Sequence, residues 1–363
     1  MLVSFTTQLA AAQSLSAAQV RQAVENLTDE TIPAPAKADF LAALAKKGES
    51  PAEIAAFAAA LREKSISPPL DAETRSREIL DVVGTGGDRL STFNISTTVA
   101  ILCAAAGVTV AKHGNRAVTS SVGSADVIEA LGIKVDLSPA DAARALREHG
   151  FAFFFAPNFH PAFKHIAPAR KLCAANGQRT IFNILGPLLN PARPTAMLVG
   201  VPRPELCEPM AHALQALGIR RGMVAAGEVT NSEFQIPNGG KSEIGNPKSE
   251  MFLDELSTLG VSHVAEFYQA RGFSASVLSP ENFPLQPATL ADLRGGDKIV
   301  NAEIVRRVLR GDERGPKRDA VLLNAGAALF VAGKVKSLAE GWELAGETID
   351  SGQAGKKLLE LAG

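Results

Sequence analysis

The chain has 363 residues, 46% hydrophobic and 21% charged, with a formal net charge of −1. That balance describes a globular protein of one large domain or two unequal ones. It excludes the basic excess of a general nucleic-acid or membrane-surface binder, and no segment reaches the roughly 18 apolar residues of a membrane span.

The opening MLVSFTTQLAAAQ lacks the basic start and long apolar run of a targeting segment, which points to a cytoplasmic protein. Helices are expected up to about Pro68. Ser16 caps AAQVRQAVENL, and PAPAKADFLAALAKKG opens on prolines and stops at Gly48. Ser50, Pro51 and Glu53 supply the cap, first position and third position of the next helix, a capping box. SPPLDAETRS then reads as a linker.

The pattern changes at Ile79. ILDVVG is a short apolar run ending in glycine, as a buried strand does. ISTTVAILCAAAG reads as a helix, VTVAKHG as a strand, and further β-rich runs such as AMLVGV and RGMVAAG alternate with helices. Alternation of this kind predicts an α/β fold with a mainly parallel central sheet. The expected organisation is a small all-helical domain over 1–75 and a larger α/β domain over 76–363. Helices from about 162–190 are expected to pack on the former. Residues 228–251, polar and rich in Gly, Pro, Asn and Ser, read as a long surface loop. Cys103, Cys173 and Cys207 have no metal-ligand spacing; Cys103 and Cys173 sit in apolar helical patterns and read as core residues of a reducing compartment.

The strongest chemical signal is Gly84-Thr85-Gly86-Gly87-Asp88, between a predicted strand and a predicted helix. Glycines let the backbone approach an anion, and the helix start near Ser96, with Asn94 and Thr97, adds free amides and short polar side chains. A phosphate or pyrophosphate suits it; a glycine-rich turn with a Ser/Thr cap is the bland alternative. Asp88 stands where a Walker loop needs lysine, and the GxGxxG pattern is absent, which disfavours nucleotide hydrolases and dinucleotide dehydrogenases. The second signal is Lys112-His113-Gly114-Asn115-Arg116, followed by AVTSSVGSAD. Two strand ends dressed for anions suit a ligand phosphorylated at both ends. The alternative is a polar loop capping a helix through Ser124 or Asp126.

With GTGGD, NIST and KHGNRAVTSSVGSAD in place, the chain resembles the anthranilate phosphoribosyltransferase family. The resemblance extends through FFFAPNFHPAFKHIAPARKL, RTIFNILGPLLNP and RDAVLLNAGAALFVAGK, over nearly the whole chain. It implies a helical domain on an α/β domain, a fold shared with pyrimidine nucleoside phosphorylases, and homodimers. It also implies roles. Gly84, Gly87, Asp88, Thr92, Asn94, Ile95, Ser96 and Thr97 match positions that contact phosphoribosyl pyrophosphate. Lys112, His113, Gly114, Asn115, Arg116, Ala117, Val118, Thr119 and Ser120 match the second substrate loop, and Ser124 a further sugar-phosphate contact. Gly84, Asn115 and Arg170 match positions that meet anthranilate. Ser96, Asp254 and Glu255 match the ligands of two magnesium ions. Residue chemistry is compatible: a guanidinium fork fits a carboxylate, and adjacent carboxylates suit magnesium. Taken alone, Arg170 reads as a solvated surface charge, Asp254-Glu255 as charge at a helix start, and Glu228 and Glu233 compete as ligands.

The implied reaction is attack of the anthranilate amine on C1 of the ribose, with loss of pyrophosphate. That amine is neutral at pH 7, so no catalytic acid or base is needed before attack. His113 reads as a shaper of its loop rather than a base, and the other histidines as structural. The expected partners are these small molecules, with no nucleic acid and no membrane. A pyrimidine nucleoside phosphorylase and a non-catalytic nucleic-acid-binding relative are the alternatives; KHGNR speaks against the first, the charge against the second.

Overall fold

The computed structural model describes residues 2–117, 122–230, 251–269 and 271–363. Four helices lead: α1 (Leu2–Ala10), α2 (Ala17–Thr28), α3 (Ala34–Lys47) and α4 (Pro51–Glu63). Ser16 and Ser50 each accept the N–H three residues on, and Gln19 and Glu53 reciprocate, so both capping boxes form. Glu53 does more than cap. Its carboxylate accepts the Leu15 N–H at 2.9 Å and meets Lys47 Nζ at 2.7 Å, tying α4 to the α1–α2 turn and to α3.

The linker expected over SPPLDAETRS contains a helical turn, α5 (Ala72–Ser76). Asp71 accepts the Thr74 N–H at 2.7 Å and so nucleates it. The two preceding prolines mask that signal.

One sheet follows, of β1 (Ile79–Gly84), β2 (Thr109–Gly114), β3 (Phe151–Phe155), β4 (Ala196–Gly200), β5 (Arg221–Val229), β6 (Met251–Leu253), β7 (Ser262–Tyr268) and β8 (Gly272–Leu278). The order is β3-β2-β1-β4-β5-β7-β8, with β6 also paired to β5. The first five strands run parallel; β6 and β7 pair antiparallel with β5, and β8 with β7. The chain winds outward from β1 through β3 and returns to the other side of β1 at β4. The β1–β4 boundary is therefore a topological switch point, where ligands bind beyond the strands' carboxyl ends.

Alternate residues of each strand face different cores. Leu80, Val82 and Val110 join the apolar cluster around α6 (Ile95–Ala105) and the helix Pro316–Val331. Met197, Val199 and Val224 face the other way, into a core shared with Phe40, Leu44, Phe57 and Leu61 of α3 and α4. Ile166, Ala169 and Cys173, from the helix Ala167–Ala175 and its cap, fill the same core. Burial of about a dozen such side chains, at roughly 1.5–3 kcal/mol each, holds the helical layer to the sheet. All three cysteines are free and buried. Among the described residues no helix is long and apolar enough to cross a membrane.

Candidate active site

The loop after β1 turns through left-handed backbone. Gly86 and Gly87 have φ of +74° and +92°, and Arg89 and Ser91 follow at +59° and +55°. Glycine adopts such angles freely, whereas arginine and serine do so only when neighbours hold them. Here the segment 291–295 does the holding: Phe93 N–H donates to Leu293 O and Gly295 N–H to Ser91 O, both at 3.0 Å. Thr92 bridges Arg294 in the same strap. α6 begins immediately after, from Asn94, whose own side chain makes no cap bond to the helix.

The acidic pair arrives from far along the chain. Residues 254 and 255 cross the ends of β1 and β4, and the approach is closer than any side chain would allow. A Cβ on Gly200 would overlap the Asp254 carbonyl, and one on Gly84 would overlap the Asp254 carboxylate. Leu253 and Leu256, both buried, anchor the segment on either side. Asn324, in the helix Pro316–Val331, grips Leu256 by both backbone groups: Oδ1 accepts its N–H at 2.9 Å and Nδ2 donates to its O at 3.0 Å.

Asp254 Oδ2 accepts the Gly86 N–H at 2.7 Å, and Glu255 Oε1 accepts the Ser96 N–H at 3.2 Å. The pair thus joins the glycine loop to the start of α6. Asp88 lies close enough to Asp254 for the two carboxyls to act on each other's ionisation. Burial, then the charge of Asp88, pushes the Asp254 carboxyl up to about 7. Burial and Asp254 raise Glu255 well above the usual carboxylate range. Lys112 is the nearby cation. Its ammonium donates to Val82 O at 2.7 Å and lies 3.4 Å from Ser96 Oγ, and burial lowers its pKa. Three acids beside one lysine form a site short of positive charge, which a divalent cation would supply. Among the described residues no group of three or more His, Cys, Asp or Glu could hold a metal by itself. A hydroxyl, water and a substrate phosphate would complete the shell, as magnesium prefers.

The second loop is built differently from the first. Asp126 takes the Ala117 and Gly123 N–H groups at 3.1 and 2.9 Å, so it caps α7 (Ser124–Ala130) and closes the loop. The Arg116 guanidinium pairs with Asp126 and Glu129 at 3.0 Å each. Its charge is already answered, and Arg116 would serve a phosphate through its backbone rather than its side chain. Asn115 gives its backbone O to Ala125 N–H at 3.2 Å and its Oδ1 to Arg116 N–H at 2.8 Å. Val118, Thr119, Ser120 and Glu233 lie outside the described residues, as does most of 228–251. Glu228 is engaged by His263 at 2.8 Å.

Arg170 stands on the helix Ala167–Ala175 with its guanidinium 5.4 Å from the Phe182 ring centroid. Burial lowers its pKa, and no acidic side chain among the described residues pairs with it. A series of edge-on ring contacts runs from Phe182 through Phe163 and His160 to His113, at 5.6, 5.4 and 5.3 Å. The unpaired arginine and the second loop therefore share one aromatic wall. Burial depresses His113 to about 3 and His160 to about 4. In the unfolded chain each takes a proton near 6.5, so the unfolded state binds more protons below that pH. These two groups thus withdraw stability as the pH falls. His160→Gln is expected to reduce the slope of unfolding free energy with pH, between about pH 4.5 and 6, by about one proton. Denaturant titrations across that range check this; an unchanged slope refutes it.

Sequence reasoning passed over Gly200 and Asn324. Gly200 carried a signal, since AMLVG ends in glycine as ILDVVG does. Asn324 carried none, being one polar residue inside an apolar helix.

Comparison with known proteins gives a consistent picture. Residues 76–240 and 248–355 match the family described as glycosyl transferase family, a/b domain. Residues 3–65 match the helical bundle domain of the same family. The anthranilate phosphoribosyltransferase of Petrotoga mobilis is 43% identical, over 96% of this chain and 92% of its own. The crystal structure of the Thermus thermophilus enzyme of that name superposes with a TM-score of 0.84 at 40% identity, covering 99% of this chain and 98% of that one. The Saccharomyces cerevisiae enzyme in complex with PRPP and Mg gives 0.82 at 26% identity, over 99% and 96%. It has also been solved in complex with 4-fluoroanthranilate.

Proposed function

The chain belongs to the anthranilate phosphoribosyltransferases of the glycosyl transferase family, and on that premise we propose how its residues divide the reaction. The enzyme transfers the 5-phosphoribosyl group of 5-phosphoribosyl 1-pyrophosphate to the amine of anthranilate in tryptophan biosynthesis. The C1–O bond to pyrophosphate breaks, the N–C1 bond forms, and the amine gives up a proton. The observation that carries our assignment is the acidic pair laid over the β1 and β4 ends, with Glu255 reaching the start of α6.

In this reading Gly84, Gly87, Asp88, Thr92 and Asn94–Thr97 hold phosphoribosyl pyrophosphate, together with Lys112–Ser120 and Ser124. Two magnesium ions, when bound, would neutralise charge on the departing pyrophosphate. Ser96 would hold one ion, and Asp254 and Glu255 the other. Lys112 supplies a fixed positive charge beside the same oxygens. The chain's task is alignment and electrostatic support rather than proton transfer. His113, buried and neutral, forms part of the wall. Gly84, Asn115 and Arg170 receive anthranilate, whose carboxylate would pair with the free Arg170 guanidinium and whose ring would lie against the aromatic series. The resemblance further supports a homodimer in the cytoplasm.

Arg170→Ala tests the acceptor half. Loss of a charge-assisted bond worth about 1.5–3 kcal/mol is expected to raise the KM for anthranilate roughly tenfold to a hundredfold. The KM for phosphoribosyl pyrophosphate should stay nearly constant. Equal rises for both substrates would remove Arg170 from the acceptor site.

A further inference from the structure

Asn94 is the N-cap of α6, yet its side chain makes no bond to that helix. An N-cap asparagine ordinarily spends its Oδ1 on the N–H two or three residues on. Here that oxygen accepts from Asn301 Nδ2 at 2.9 Å, across 207 residues of chain. Asn301 is 2% exposed and lies in the helix Lys298–Arg310, which Asp297 caps.

The orientation of both amides follows from one backbone group. Asn301 Oδ1 accepts the Gly296 N–H at 2.8 Å, and a backbone N–H can only donate. Asn301 must therefore present Nδ2 to Asn94, and Asn94 must answer with Oδ1. The arrangement is tightly enclosed. A Cβ on Gly295 would overlap the Asn301 amide and come within 3.0 Å of Phe93 Cα.

Two consequences follow for the site. Asn94 Nδ2 is turned away from Asn301, with no acceptor among the described residues. Of the first α6 amides, Ile95 N–H donates to Phe93 O and Ser96 N–H to Glu255 Oε1, while Thr97 N–H, which an Asn94 cap would take, has no acceptor among the described residues. Thr97 Oγ1, buried in the same turn, has no partner either.

We propose that Asn301 is a positioning residue for phosphoribosyl pyrophosphate. It holds Asn94 off its own helix, aims the Asn94 N–H₂ group at a substrate oxygen, and leaves the Thr97 N–H open to a phosphate. This rests on the reading that Asn94 meets that substrate. Asn301 touches no substrate; it acts through Asn94.

The test is a double-mutant cycle on the full-length enzyme with magnesium, reading kcat, both KM values and the thermal midpoint. Asn301→Asp keeps the size and the acceptor for Gly296, but it offers Asn94 an acceptor. Asn94 must then flip and bury its donor. The KM for phosphoribosyl pyrophosphate is expected to rise about tenfold, with that for anthranilate changed by less than about twofold. Asn301→Ala should raise the same KM and also lower the thermal midpoint, since it orphans the Gly296 N–H. In the Asn94→Ala background, Asn301→Asp should add less than about twofold. Full additivity overturns the proposal, as does an unchanged KM in Asn301→Asp or a joint rise of both KM values. Asn94→Ala alone separates the two levels. If it leaves the KM for phosphoribosyl pyrophosphate unchanged, the placement of Asn94 fails and the inference with it. If it raises that KM while Asn301→Asp does not, the inference alone fails.

Discussion

Replacing Glu255 by glutamine, or Asp254 by asparagine, is expected to lower magnesium-supported turnover by on the order of a hundredfold. The magnesium concentration for half-maximal rate should rise with it. Stability should move the other way. Burial and the charge of Asp88 raise the Asp254 carboxyl, and burial and Asp254 raise Glu255, so near neutral pH the ionised forms cost the folded state free energy. A neutral amide of the same shape removes that cost. Without magnesium, the thermal midpoints of the two variants should equal or exceed that of the parent enzyme. A site under selection for function commonly carries such a penalty. Unchanged magnesium dependence in both variants would overturn the metal assignment. A large fall in midpoint would show that the pair is structural.

Gly200→Ala is expected to be as damaging without touching a charged group. Its Cβ would overlap the Asp254 carbonyl and come within 3.0 Å of the Glu255 nitrogen. Neither obstacle is the tip of a flexible side chain, so the whole crossing segment must lift. Overpacking of this kind costs about 1–3 kcal/mol, and the displaced carboxylates would lose their place against Gly86 and Ser96. Turnover should fall at least as far as in the acid variants. Gly84→Ala should be milder, because part of its obstacle is the Asp254 side chain, which can rotate. Gly355→Ala is the control. It lies on the C-terminal helix Gln353–Ala362, its added Cβ meets nothing closer than 3.6 Å, and it should be neutral or slightly stabilising. Turnover in Gly200→Ala matching that control would refute the close approach.

These two cases mark what the sequence discloses. GTGGD, the Ser16 and Ser50 capping boxes and the strands ending in glycine are local signals, each decided within a few residues. The parallel alternation was readable for the same reason. The partners of those signals were not. Gly200 matters only because β4 lies beside β1 and because residue 254 crosses both. That adjacency comes from packing between segments far apart in the chain. Asn301 and Asn324 sit in helices as unremarked polar residues, and their worth is set by Asn94 and Leu256, on other elements. The helical turn at 72–76 was hidden by two prolines, although Asp71 was there to cap it. In the second loop, both readings of the segment meet in one residue: Asp126 caps α7 and also binds Arg116, which leaves Arg116 less free for a phosphate than its charge suggested. The antiparallel strands β7 and β8 close the sheet beyond the parallel run, on a side away from the β1–β4 crevice.

The most direct test of the account is a single assay of the purified protein with magnesium, phosphoribosyl pyrophosphate and anthranilate. It predicts one pyrophosphate released for each anthranilate consumed, loss of turnover when magnesium is chelated, and no phosphorolysis of thymidine or uridine by inorganic phosphate. Phosphorolysis of a pyrimidine nucleoside without pyrophosphate release, or transfer to anthranilate that persists without magnesium, would contradict it.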